Sequence, residues 1–294
     1  MSDYDAVVVG TGSAEPAAAA LQRADARTPA TRGGYSRYVA LGDSQTEGVG
    51  DGDDRIGVRG LADRLAERLA EDNPDLHYAN LAVRGKIARQ VHAEQLDAAL
   101  ALRPDLATVI AGVNDLLRPG FDADEVAGHL DSMFAALTAQ GAVVATVTFP
   151  DIARITPLAR PFSTRVTALN LRIRDSAASH GVVVAETARH AVVTDPRLWS
   201  PDRLHASPLG HQRIADALAH ALRLPGADDG WTSPVRPPLV ARGPVSAAAF
   251  ELRWAATFLG PWLRRRVTGR SSGDGRTAKR PRLRPVRDHR NSTE

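Results

Sequence analysis

From Tyr38 onward the chain alternates short apolar runs with amphipathic stretches. Tyr38 to Leu41 is an uncharged apolar run of strand length, and Gly42-Asp43-Ser44 ends it sharply. Val58 to Glu71 then carries Leu61, Leu65 and Leu69 at helical spacing and stops near Pro74. His77 to Val83 reads as a strand, Ile87 to Leu102 as a helix ending before Pro104, and Leu106 to Ala111 as a strand. Asp124 to Gln140 is a helix closed by Gly141, followed by a strand from Ala142 to Phe149. Phe162 to His180 is a helix closed by Gly181, and Val182 to Ala185 a strand. Ser207 to Leu224 is a last helix, with Pro208 in its first turn and Pro225 beyond its end. Strands alternating with helices predict an α/β fold with a parallel sheet covered on both faces. Five strands fit a flavodoxin-like three-layer α/β/α sandwich, placed over residues 35–225.

The flanks lack this regularity. In residues 1–34, Val7-Val8-Val9-Gly10-Thr11-Gly12 reads like a strand opening a dinucleotide fingerprint, but Glu15 stands where the third glycine belongs and Pro16 follows it. The expectation for 1–34 is a leader that is poorly ordered or packs loosely. Residues 226–263 form a C-terminal extension. Its Pro- and Gly-rich start after Pro225 reads as an extended segment over the surface and leads to Ala247–Leu259, where Phe250, Trp254 and Phe258 recur every four residues in an amphipathic helix. Residues 264–294, opened by Arg264-Arg265-Arg266, read as a basic disordered tail.

Composition sharpens this picture in three ways. With 43% apolar residues in 294, the chain can bury a sizeable core. It has no cysteine, which excludes disulfides, thiolate metal sites and a cysteine nucleophile. The net charge of +3 hides an asymmetry: from Arg264 to the end there are eleven basic residues against three acidic ones, so the first 263 residues are net acidic. No run approaches the roughly 18 to 20 apolar residues of a membrane span. A secretory signal is not supported at the N-terminus either, and a cytoplasmic location is the expectation.

The candidate chemistry begins at Ser44, a hydroxyl at the carboxyl end of a central strand, where open α/β sheets bind their ligands. Three further stretches follow at strand ends or loops: Asn80-Leu81-Ala82-Val83-Arg84-Gly85, Gly112-Val113-Asn114-Asp115 and Ser200-Pro201-Asp202-Arg203-Leu204-His205. Taken singly, Asn114 is a turn residue, Gly85 a loop glycine and Asp202 a helix-entry residue. Together, in this order and spacing, they closely resemble the SGNH hydrolases, the GDSL esterase/lipase family, over about residues 36 to 224. The matching positions are Ser44, Gly85, Asn114 and His205, and Gln45 departs from the usual leucine beside the serine. That departure is expected to bear on substrate preference rather than on the chemistry.

The residue types suit that resemblance. A serine hydroxyl needs a base within hydrogen-bond reach, which His205 supplies, and Asp202 three residues earlier can orient the imidazole. Backbone N–H groups of Ser44 and Gly85 and the Asn114 amide would form an oxyanion hole. The resemblance implies a carboxylic ester hydrolase working through an acyl-enzyme, with no cofactor and no metal. The acyl group stays open, with a lean toward short acyl chains on polar substrates from the charged residues Asp43, Asp51 and Arg84. His211 and His220 receive no catalytic role, and Asp51-Gly52-Asp53-Asp54 reads as a solvated loop rather than a calcium site. The partner expected is a small-molecule or lipid ester, without nucleic acid. The alternative is a peripheral lipid-binding protein whose C-terminal aromatic and arginine-rich segment makes weak contact with anionic membranes.

Overall fold

The structure, a computed structural model, describes residues 34–239, 251–261 and 271–286. The fingerprint-like glycines Gly10 and Gly12, Phe250 of the aromatic stripe and the Arg264–Arg266 cluster lie outside the described residues. Strand β1 (Arg37–Gly42) runs into a one-turn helix α1 (Ser44–Glu47), and a small hairpin follows, β2 (Gly52–Asp53) with β3 (Gly57–Val58). Then come α2 (Leu61–Asp72), β4 (His77–Asn80), α3 (Ala88–Leu102), β5 (Leu106–Ile110), α4 (Val113–Leu116) and α5 (Ala123–Ala139). The series closes with β6 (Val143–Val147), α6 (Ser163–His180), β7 (Val183–Ala185), α7 (Pro208–Ala221) and β8 (Arg280–Pro285).

The sheet order is β7-β6-β5-β1-β4-β8. The first five strands of this row are parallel, so this part of the expectation holds. β1 sits between β4 and β5, where the strand order reverses. Such a switch point opens a crevice at the carboxyl ends of the strands. Helices cover both faces: α2 packs on α7, while α3, α5 and α6 pack in series. The leucines read from the helical spacing, Leu61, Leu65 and Leu69, are buried, as are Leu130, Met133, Phe134 and Leu137 of α5. No helix among the described residues is long and apolar enough to cross a membrane.

Two expectations change. Among the described residues the sheet has six strands, because β8 pairs antiparallel with β4, so part of 264–294 is a strand rather than a disordered tail. Its sequence, Arg280-Pro281-Arg282-Leu283-Arg284-Pro285, has no apolar alternation and two prolines. An edge strand tolerates prolines because only one of its sides needs backbone donors. β8 also covers the edge that β4 would otherwise expose. Arg280 is buried, donates through Nε to the Tyr78 carbonyl at 2.8 Å, and lies over the Tyr78 ring. The stretch expected to run over the surface after Pro225 also folds inward at Trp231, which is buried and donates its indole N–H to His220 Nδ1 at 3.2 Å.

Candidate active site

The site grows from the turn between β1 and α1. Gly42 has φ +155°, and a Cβ there would lie 2.4 Å from both the Ile110 carbonyl and Thr46 Oγ1, so only glycine lets the chain turn this tightly against β5. The Gln95 carboxamide braces the turn from α3, bonding the Gly42 N–H and carbonyl at 2.9 Å each. Asp43 caps α1 by accepting from the Gln45 N–H at 3.2 Å. Ser44 is thereby the first residue of a one-turn helix at the switch point.

The other three blocks converge on this turn. Asn114, in α4 just beyond β5, donates its side-chain amide to Asp43 Oδ2 at 3.1 Å and to the Lys86 carbonyl at 2.9 Å. One amide thus ties the serine turn to the loop carrying Gly85. A second tie is Glu47, which accepts from the Arg84 N–H at 2.5 Å and from its guanidinium at 2.9 and 2.6 Å. Arg84 is further paired with Asp54 at 3.1 Å. Gly85 follows with φ +78°, in the left-handed region.

The fourth block approaches from the α7 side. His205 Nδ1 meets Asp202 Oδ2 at 2.7 Å, while Asp202 Oδ1 accepts from the N–H groups of Leu204 and His205 at 2.9 and 3.0 Å. Ser200 adds a hydroxyl at 2.6 Å to the same oxygen. Burial opposes ionisation of Asp202, yet the hydrogen bonds and charge of His205, with the Ser200 bond, hold its carboxyl well below the usual carboxylate range. Gln45 carries this loop to the serine turn, donating to the Leu204 carbonyl at 2.9 Å and accepting from the Ala206 N–H at 3.2 Å. All of Ser44, Gly85, Asn114, Asp202 and His205 therefore belong to one constellation.

Burial pushes Asp43 up to about 7 against the bonds it accepts from Gln45 and Asn114 and the charge of His205. Asp115, which accepts from the Ala88 N–H at 3.0 Å, is likewise pushed by burial up to about 6. These carboxyls frame the site; sequence reading used Asp43 only as part of the charged surroundings of the serine and gave Asp115 no part. Nor did it assign one to Gln95 or to Glu47, and it expected no part in the chemistry for Gln45. The one signal available was the departure from leucine at Gln45, since a polar side chain beside a buried turn needs a partner.

The residues set aside have structural work. His211 is fully buried in α7, its Nδ1 accepting from the Leu61 N–H at 3.2 Å and its Nε2–H donating to the Val49 carbonyl at 3.0 Å. In the acidic loop, Asp51 pairs with Arg64 at 2.5 Å and Asp54 with Arg84 and Arg276. A largely apolar cavity of about 70 Å³ lies beside the site, bordered by Gln45, Val113, Trp199, Leu204, Ile214 and Trp231.

A family model described as the GDSL-like lipase/acylhydrolase family matches residues 40–213. Among solved structures, an alpha/beta hydrolase enzyme from the metagenome of Lake Arreo, Spain, is 22% identical over 64% of this chain and 95% of its own, with a TM-score of 0.54. The lipase/acylhydrolase from Enterococcus faecalis is 21% identical over 64% and 95%, at a TM-score of 0.53. An acetylxylan esterase from Geobacillus stearothermophilus is 18% identical over 67% and 99%, at 0.55. No curated protein sequence matches.

Proposed function

The chain belongs to the GDSL-like lipase/acylhydrolase family and is a serine hydrolase, and from that premise we propose that Ser44, His205 and Asp202 hydrolyse a carboxylic ester through an acyl-enzyme. The single observation that carries the assignment is the 2.7 Å contact of His205 Nδ1 with Asp202 Oδ2. With Nδ1–H donated to the carboxylate, the neutral imidazole carries its lone pair on Nε2, the tautomer that a general base for Ser44 requires. Ser44 Oγ attacks the ester carbonyl carbon as Nε2 takes its proton. The tetrahedral oxyanion is received by the N–H groups of Ser44 and Gly85 and the Asn114 amide. Its collapse breaks the bond to the alcohol oxygen, which leaves with the proton from Nε2. Water then attacks the acyl-enzyme, again giving a proton to Nε2, and the carboxylic acid departs as Ser44 recovers its hydrogen.

The substrate reading favours a short acyl chain. The cavity of about 70 Å³ is bordered by Gln45, Val113, Leu204 and Ala206, the chain neighbours of Ser44, Asn114 and His205, and its apolar lining suits a small hydrocarbon group. The alternative of a lipid-surface protein finds less support: Trp254, in the middle of the aromatic stripe, donates its indole N–H to the Asp202 carbonyl at 3.3 Å, turned toward the domain rather than outward.

The test is turnover of p-nitrophenyl esters from acetate to palmitate by wild type and Ser44→Ala, with mass spectrometry after a fluorophosphonate probe. The reading requires activity that disappears in the variant, and a label on Ser44. A wild type that neither turns over any ester nor takes the label overturns it.

A further inference from the structure

We propose that Ser271 and Ser272, in the C-terminal segment beyond the matched family region, are specificity-determining residues that limit the size of the ester group beside the oxyanion hole. The inference rests on the esterase reading above. Its starting point is Gly85: a Cβ on this residue would lie 2.3 Å from Ser271 Oγ, 3.1 Å from Ser272 Oγ and 3.3 Å from the Gly273 nitrogen. The contact is reciprocal, since a Cβ on Gly273 would lie 2.0 Å from the Arg84 carbonyl. Two glycines let the backbones touch, and this closes one side of the candidate oxyanion loop.

The turn that does this is braced and anchored. Asp274 accepts from the Ser271 N–H at 2.8 Å, and Ser271 Oγ accepts from the Gly273 N–H at 3.2 Å. Downstream, Arg276 reaches Asp54 at 2.5 Å and Lys279 reaches Asp63 at 2.5 Å and the Val58 carbonyl at 2.9 Å. β8 then locks into the sheet beside β4. Ion pairs of this kind hold a segment weakly by themselves, but the pairing of Arg280, Arg284 and Pro285 with Asn80, Tyr78 and His77 fixes where it lies.

The same extension reaches the other end of the machinery. In the helix over 251–261, Trp254 bonds the Asp202 carbonyl, its ring lies 4.7 Å from the Arg203 guanidinium, and Glu251 pairs with Arg203 at 2.7 Å. An ester entering between the acid–base loop and the oxyanion loop therefore meets surface supplied by the extension on both sides. At Gly85 that surface is two exposed hydroxyls, which fit a small or hydrogen-bonding group and crowd a long hydrocarbon one.

The experiment compares kcat/KM for p-nitrophenyl acetate, butyrate and octanoate in the full chain, its Ser271→Ala/Ser272→Ala variant and Ser272→Phe. Fluorophosphonate labelling of Ser44 counts active sites, so that partial unfolding does not masquerade as selectivity. The double alanine variant is expected to raise the octanoate-to-acetate ratio by about tenfold, the scale of a methylene-sized change in fit, and Ser272→Phe to lower it. Unchanged ratios in both variants, with an active wild type, overturn the proposal alone. A wild type inert to every ester and to the label overturns the esterase reading, and this inference with it.

Discussion

Gln45 holds His205 by the backbone on both sides, its carboxamide donating to the carbonyl of Leu204 and accepting from the N–H of Ala206. The residue after the serine thus fixes where the imidazole loop sits, across 159 and 161 positions of sequence. Gln45 and Ala206 are both buried, so the backbone groups that Gln45 satisfies have no ready substitute in water.

Replacing Gln45 by leucine removes both bonds and leaves Leu204 and Ala206 backbone groups unpaired. The expected outcome is a fall in kcat of about tenfold or more, the sensitivity of a catalytic contact to sub-ångström misplacement, with little change in KM. Gln45→Glu keeps the acceptor and should recover part of kcat. Steady-state kinetics on a short ester, with both variants checked for thermal stability, decides this.

Asp202→Asn keeps the shape of the carboxylate but removes the charge that orients Nδ1–H. Turnover should fall by about a thousandfold to ten-thousandfold, with far-UV circular dichroism unchanged. A loss below tenfold would argue that Asp202 only shapes the loop.

Asn114→Ala should lower kcat by about a hundredfold to a thousandfold, as loss of one oxyanion donor does. Here the side chain also bridges Asp43 and the Lys86 carbonyl. Its removal should therefore lower thermal stability as well, and a scanning calorimetry comparison with wild type separates the two effects.

His211 provides a pH signature in stability. Burial holds its imidazole down to about 4, against the ordinary 6.5. The unfolded chain binds the proton more readily, so this contribution is complete above pH 6.5 and is lost progressively as pH falls toward 4. The full effect is roughly 3 kcal/mol. Urea midpoints measured at pH 7.5, 5.5 and 4.5 should fall less steeply for His211→Gln than for wild type.

The sequence by itself determined the doubly covered parallel sheet and the motif-bearing turns at its strand ends. Apolar runs of strand length and leucines at helical spacing are local patterns, and each is read within a dozen residues. The blocks that hold Ser44, Gly85, Asn114, Asp202 and His205 were legible together, through the order and spacing they share with a known family, and the roles proposed for these residues rest on that resemblance. Only the tertiary structure decided what lies between these blocks. That Gln45 reaches Leu204 and Ala206, that Glu47 binds Arg84, and that Gln95 braces Gly42 depend on which loops meet, and contacts this far apart leave no periodic trace. β8 shows the same limit most clearly. Arg280-Pro281-Arg282-Leu283-Arg284-Pro285 carries no strand signal of its own, and becomes a strand because the open edge of β4 supplies hydrogen-bond partners and Tyr78 receives the Arg280 side chain. That pairing brings Ser271 to Gly85, and with it the extension reaches a loop that lies more than 180 positions earlier in the chain.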